Sequence, residues 1–272
     1  MKLNIVPARA GVQWARAGMQ IFWRQPLAFT GLFFLFMLVT SVAGLVPVVG
    51  EALKLVLIPA ATVGFMAATE HVQAGRYPLP TVLAAAFRRG ARNTRAMLLL
   101  GVLLAACAEL IGLLAGLVDG GRLAEFQASH QSLTPAELMQ NADTQAAFMA
   151  AALPSLAAGA LLYLPVSALF WHAPALVHWH DVPPVKSLFF SAVAVVKNTR
   201  AFLLYGAAWL LILFAVNLVV SLLTVAAGTP AVLYAMAPIG LMLTAMMLTS
   251  LWFIFRDSFT PDAPDAPPSA ED

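Results

Sequence analysis

Long stretches of this chain carry no charge at all, among them one from Gln25 to Gly50 and one from Ala201 to Phe255. A helix that crosses the hydrocarbon of a bilayer needs about 20 apolar residues at a rise of about 1.5 Å each, so the first has room for one crossing and the second for two. In lipid the backbone has no water to bond, which leaves the helix as the form open to such runs. The composition agrees: 61% of residues are apolar and 10% charged, against roughly 25% charged in soluble domains. The sequence therefore predicts an integral membrane protein.

Applied to the whole chain, the same reading gives six spans, at about 27–46, 53–70, 96–118, 148–177, 201–226 and 231–255. Pro47 and Gly50 mark a tight turn between the first two, and Ala227-Gly228-Thr229-Pro230 divides the last long run. Pro154, Pro165 and Pro174 predict kinks or a late start in the fourth. The expected fold class is all-α, a polytopic membrane helix bundle in one domain, 1–258. The Pro-rich, acidic stretch 259–272 has nothing to bury and is expected to be a disordered tail. Arg9 and Arg16 interrupt any signal-peptide core, so a cleaved leader is not expected.

Lys and Arg fall almost wholly on one side of these spans. That side collects Lys2, Arg9, Arg16, Arg24, Arg76, Arg88, Arg89, Arg92, Arg95, Lys186, Lys197, Arg200 and Arg256; the other has Lys54 and Arg122. The positive-inside rule then places both termini in the cytoplasm of a bacterial inner membrane. In the outer loop, Thr134-Pro135-Ala136-Glu137 fits a capping box and predicts a short helix. Cys107 is the sole cysteine, lies in an apolar run, and reads as a small apolar side chain.

An internal repeat precedes three of the spans: Arg24-Gln25-Pro26-Leu27-Ala28-Phe29, Arg92-Asn93-Thr94-Arg95-Ala96-Met97 and Lys197-Asn198-Thr199-Arg200-Ala201-Phe202. At a shift of 105 positions Pro78 falls on Pro183, Asn93 to Ala96 on Asn198 to Ala201, and Gly101 on Gly206. Ahead of each copy lies a segment with helical periodicity, predicting interfacial amphipathic helices at about 7–24, 80–92 and 184–197. In the first, Arg9, Gln13, Arg16, Gln20 and Arg24 share one face, while Val12, Ala15, Met19, Phe22 and Trp23 cover the other. The amide after each basic residue can cap a helix start where water is scarce. Arg88, Arg89, Arg92, Arg95, Lys197 and Arg200 can also hold an anionic lipid headgroup, and the two roles are compatible.

Trp171, His172, His178, Trp179 and His180 form the densest polar constellation. Helical spacing separates these histidines and no acidic or cysteine ligand accompanies them, so an interfacial belt closing the fourth span is expected rather than a metal site. Glu109 is the carboxylate deep in a span, where a charge costs at least about 2.5 kcal/mol, and should face the bundle. Lys54 and Asn217 are its candidate neighbours, and together they suggest either a packing contact or a polar pathway. Glu51 and Lys54, three apart, are expected to pair with each other. No nucleotide-binding loop, nucleophile elbow or paired-carboxylate site is present, and the net charge of +2 does not suggest a nucleic-acid partner.

Three strings, Met1-Lys-Leu-Asn-Ile-Val-Pro-Ala-Arg9, Phe22-Trp23-Arg24-Gln25-Pro26-Leu27-Ala28 and Phe170 to Trp179 followed by Pro183-Pro184-Val185-Lys186-Ser187-Leu188-Phe189, carry a resemblance. Through them the chain, from Met1 to about Phe255, resembles a family of uncharacterised betaproteobacterial multi-spanning inner-membrane proteins. The resemblance implies the topology and no activity. The basic-amide motif alone is also similar to the membrane domain beside some bacterial glycerophosphodiester phosphodiesterases, without any counterpart of their catalytic residues. The expected function is non-catalytic and cofactor-free: organising the membrane, binding lipids or scaffolding a membrane protein partner. The alternative is a small transporter or channel with Glu109 on its pathway.

Overall fold

A computed structural model describes residues 2–130, 141–228 and 236–260. Its helices are α1 (Ala10–Arg24), α2 (Pro26–Gly44), α3 (Gly50–Gln73), a 3-10 helix (Pro80–Phe87), α4 (Ala91–Asp119), α5 (Arg122–Ser129), α6 (Ala142–Phe170), α7 (Ala173–His180), α8 (Pro184–Lys197), α9 (Thr199–Ala227) and α10 (Met236–Ser258). Among the described residues six helices are long and apolar enough to cross a membrane: α2, α3, α4, α6 continued by α7, α9 and α10. The protein is an all-α polytopic bundle. The helix expected at Thr134, the stretch 231–235 and the tail beyond Thr260 lie outside the described residues.

The spanning helices alternate in direction, so the two chain ends meet at one end of the bundle. There β1 (Lys2–Leu3) pairs antiparallel with β2 (Phe259–Thr260), and the Asn4 amide donates to the Ser258 carbonyl at 2.9 Å. Residues 259 and 260, expected in the tail, are therefore held in this strand pair, because the N-terminal segment supplies backbone partners.

Helix α1 corrects another expectation. Its arginine face is exposed, but the opposite face, expected against acyl chains, packs on α9 and α10. Trp14, 1% exposed, sits at the centre of that contact and donates its indole N–H to Asp257 Oδ2 at 2.9 Å. Gly11 lies against the backbone of Ala201 and Tyr205, and Gly18 against Met246 and Ser250, so α1 approaches both neighbours as closely as a missing side chain allows. Val12 and Trp23 are the apolar residues of α1 that stay exposed.

The predicted fourth span is two helices. Pro154 and Pro165 lie inside α6, while the chain breaks at Trp171 and His172 and restarts as α7 with Pro174 in its first turn. Ser191 of α8 closes the gap, accepting from the His172 amide and donating to the Ala168 carbonyl, each at 2.8 Å. The core runs from Trp14, Phe22 and Phe29 through Phe65 to Ile254. A smaller cluster joins Val63, Met97, Leu100 and Val177 below the basic segment.

A candidate lipid-headgroup site at the basic end

The expected helix at 80–92 is not continuous. Pro80 opens a 3-10 helix that ends at Phe87; Gly90 then takes φ of +93°, which no side chain tolerates well, and α4 begins at Ala91. The basic run is thereby divided. Arg88 and Arg89 stand on the turn, while Arg92 and Arg95 occupy the first turns of α4, where no acidic residue offsets them. The free N–H groups of that helix start add positive potential to that of the guanidinium groups.

Arg89 is committed to the fold. It donates to the His178 carbonyl and forms an ion pair with Asp181 at 3.2 Å, tying the turn to the end of α7. Asp181 itself has φ of +51°, so this ion pair is anchored on a backbone turn that reverses the chain between α7 and α8. The guanidinium groups of Arg76, Arg88, Arg92 and Arg95 make no hydrogen bond or ion pair with any described residue.

These free arginines line two cavities. The first, about 260 Å³, is bounded by Arg92, Asn93, Arg95, Leu99, Asp181 and Pro183. The second, about 470 Å³, lies between the end of α3 and the 3-10 helix and is bounded by Glu70, His71, Arg76, Tyr77, Arg88 and His178, with apolar walls from Ala67, Val82 and Trp179. Lys197 and Arg200, exposed at the junction of α8 and α9, line neither. Of the six basic residues singled out by sequence, Arg92 and Arg95 share one cavity, Arg88 and Arg89 share the other, and the third repeat copy stands apart. Glu70, His71 and Arg76 were not assigned to a site by sequence; their signal was a polar cluster placed just after an apolar run.

The repeated amides do not cap their helices. Asn93, buried in the first turn of α4, donates back to the Ala86 carbonyl at 2.5 Å, pinning the 3-10 helix, and its Oδ1 has no partner. Asn198, 2% exposed, instead clamps the N-terminal segment: Val6 N–H donates to its Oδ1 at 2.9 Å and its Nδ2 donates to the Asn4 carbonyl at 3.1 Å. Gln25 makes no side-chain cap at the start of α2. The two buried asparagines instead hold separate segments together.

Of the expected aromatic and histidine belt, His172 and His178 are buried, while Trp171, Trp179 and His180 are half-buried and packed against the core. His172, 1% exposed, packs its ring against Phe202, Phe255 and Phe259, and Trp171 meets Phe202 and Tyr205 edge-on. Trp179 contacts Trp252 and Phe255, His178 lies under Trp179, and the His180 ring meets Phe255. The break between α6 and α7 turns these side chains inward.

Nor does Glu109 meet Lys54 or Asn217. Glu109 is exposed and has no partner among the described residues; Lys54 pairs with Glu51 at 2.6 Å and lies over Gly44, and Asn217 is exposed, donating to the Leu213 carbonyl of its own helix. The reason is helix length. Gly101 packs on Val56, so six residues further along α4 its antiparallel neighbour has reached Gly50, where α3 begins. Glu109 stands beyond that tip and looks outward.

A probable inner membrane protein of Burkholderia thailandensis is 40% identical over 271 residues, covering 98% of this chain and 97% of that protein. No family model matches the chain, and no solved structure does. With such identity along nearly the full length of both proteins, and with six helices apolar enough to cross a bilayer, this chain belongs to the same family as that protein and is a multi-pass protein of the inner membrane.

Proposed function

We propose that the protein is a non-catalytic, lipid-interacting component of the inner membrane, oriented with both termini in the cytoplasm, whose basic end holds anionic phospholipid headgroups. The observation that carries this reading is the unpaired state of Arg92 and Arg95 in a cavity at the start of α4. A guanidinium offers planar, bidentate donors to a phosphate, and two of them at a helix N-terminus make an anion site without further parts. The excess of Lys and Arg at this end supports a cytoplasmic placement. The pathway reading has no comparable support, since Glu109 faces away from the bundle.

The test replaces Arg92 and Arg95 by Gln and leaves Arg89 in place, because Arg89 is a structural tie. Phosphatidylglycerol co-purified with the double variant should fall several-fold against the parent protein at equal recovery. Equal retention of phosphatidylglycerol refutes the headgroup site, and a reporter fused at either terminus that is accessible from the periplasm refutes the orientation.

A further inference from the structure

The second cavity differs in kind from the first, because it holds both signs of charge unspent. Arg76 and Arg88 on one part of its wall are joined by Glu70 at the end of α3, and the Glu70 carboxylate has no hydrogen bond or ion pair with any described residue. These three charges of both signs form no ion pair with one another although they border one space of about 470 Å³. That volume lies within the roughly 300 to 1,000 Å³ of ordinary ligand pockets. His178, 8% exposed, also lines the cavity, and its Nδ1 has no hydrogen-bond partner. A buried polar nitrogen left in this state costs free energy unless something polar reaches it.

We infer that the cavity between the end of α3 and the 3-10 helix binds a zwitterionic phosphoester headgroup, with its phosphate at Arg76 and Arg88 and its ammonium at Glu70. A purely anionic ligand would satisfy the two arginines and be repelled by the carboxylate; a simple cation would meet the reverse. A phosphate and an ammonium joined by two carbons match both halves at once. Tyr77 and Trp179 add aromatic faces on which an ammonium is favourable. Ala67, Val82 and Ala85 give the same space an apolar wall, which suits the acyl-bearing end of a lipid. The inference rests on the reading of this end as headgroup-facing, but it uses residues that the Arg92 and Arg95 cavity does not.

The shared chemistry has two sources, a phosphatidylethanolamine molecule in the leaflet and a water-soluble glycerophosphoethanolamine. The full-length protein is reconstituted in nanodiscs containing equal phosphatidylethanolamine and phosphatidylglycerol, extracted in mild detergent, and its retained lipids are quantified by mass spectrometry. Glu70→Gln should lower the retained ethanolamine-to-glycerol lipid ratio about tenfold, the factor of one charge-assisted hydrogen bond. Glu70→Asp keeps the charge and should keep most of the ratio. Arg76→Gln with Arg88→Gln should lose the same lipid, while Arg92→Gln with Arg95→Gln should lose phosphatidylglycerol and spare it.

Soluble glycerophosphoethanolamine added before extraction separates the sources: displacement of the retained lipid assigns the soluble ester, and persistence of the lipid assigns the leaflet. An unchanged ratio in Glu70→Gln, in protein that elutes and melts like the parent, overturns the inference. If that ratio falls while Arg92→Gln with Arg95→Gln keeps its phosphatidylglycerol, the zwitterionic site stands and the anionic one fails.

Discussion

Gly101 and Gly206 occupy the same place in the repeat, yet alanine at the two positions should shift stability in opposite directions. A Cβ at Gly101 would stand 2.2 Å from the Val56 carbonyl oxygen and 2.8 Å from Val56 Cα, against the 3.4 Å where ordinary contact begins. Both are backbone atoms of α3, so no side chain can swing aside and the helices must part by about 1.2 Å. Parting them loosens Leu100 and Met97, both buried in the cluster below the basic segment. Overpacking of this kind costs about 1–3 kcal/mol, from which about 1 kcal/mol is recovered by alanine's better helix propensity. Around Gly206 no atom comes within 4 Å of an added Cβ, so only the propensity gain of about 1 kcal/mol remains.

Thermal unfolding in detergent, followed by tryptophan fluorescence, checks the pair. With about 2–4 °C per kcal/mol for a chain of this size, the net loss of up to about 2 kcal/mol should lower the melting temperature of Gly101→Ala by up to about 8 °C, and Gly206→Ala should melt a few degrees above the parent. Equal shifts of the same sign would refute the argument, since they would mean that α3 and α4 do not touch at Gly101 or that α9 is covered at Gly206.

Three further outcomes follow from single contacts. Asn198→Ala removes the two hydrogen bonds it makes to the partly buried segment Asn4 to Val6, a loss of about 1–2 kcal/mol; amide exchange at Val6 should quicken about tenfold, with exchange in the middle of α3 unchanged. Asp257→Asn leaves the Trp14 indole an acceptor but not a charged one, and should lower the melting temperature by a few degrees, whereas Asp257→Leu should lower it further. Glu109→Gln should leave melting within about 0.5 kcal/mol of the parent, the usual span for an exposed site without partners; a large loss would place Glu109 in a contact that its outward position denies.

Fold class and the alternation of helix direction were legible because they depend on the cost of dehydrated charge and backbone, which every residue of a long apolar run reports. Helix limits were less so, since the polar residues flanking a run join the same helix: α4 starts at Ala91, five residues ahead of the expected 96, and ends at Asp119, one past 118. The arginine face of α1 followed from periodicity. What covers the opposite face did not, because an apolar stripe fits a helix and a lipid tail equally well, and here Gly11 and Gly18 decide for helices. Those glycines read as neutral in sequence; only a neighbouring backbone gives them meaning.

The candidate site shows the same limit from the other side. A basic run says that anions are welcome and not which arginine is already taken, and Arg89 is spent on Asp181 through a turn whose geometry depends on α7 ending at His180. Repeats mislead in a related way. Asn93 and Asn198 match in register and both are buried, but one reaches back to Ala86 and the other across to the N-terminal segment. Gly90 completes the divergence. The register of the repeat sets Val195 at its place in the third copy, and a valine permits α8 to run to Lys197, whereas the glycine follows a 3-10 helix that ends at Phe87 and leaves Arg88 on a turn. The cavity beside Glu70 and Arg76 is bounded by Arg88 on that turn and by Val82 and Ala85 of the 3-10 helix, so it belongs to the copy whose leading helix is broken.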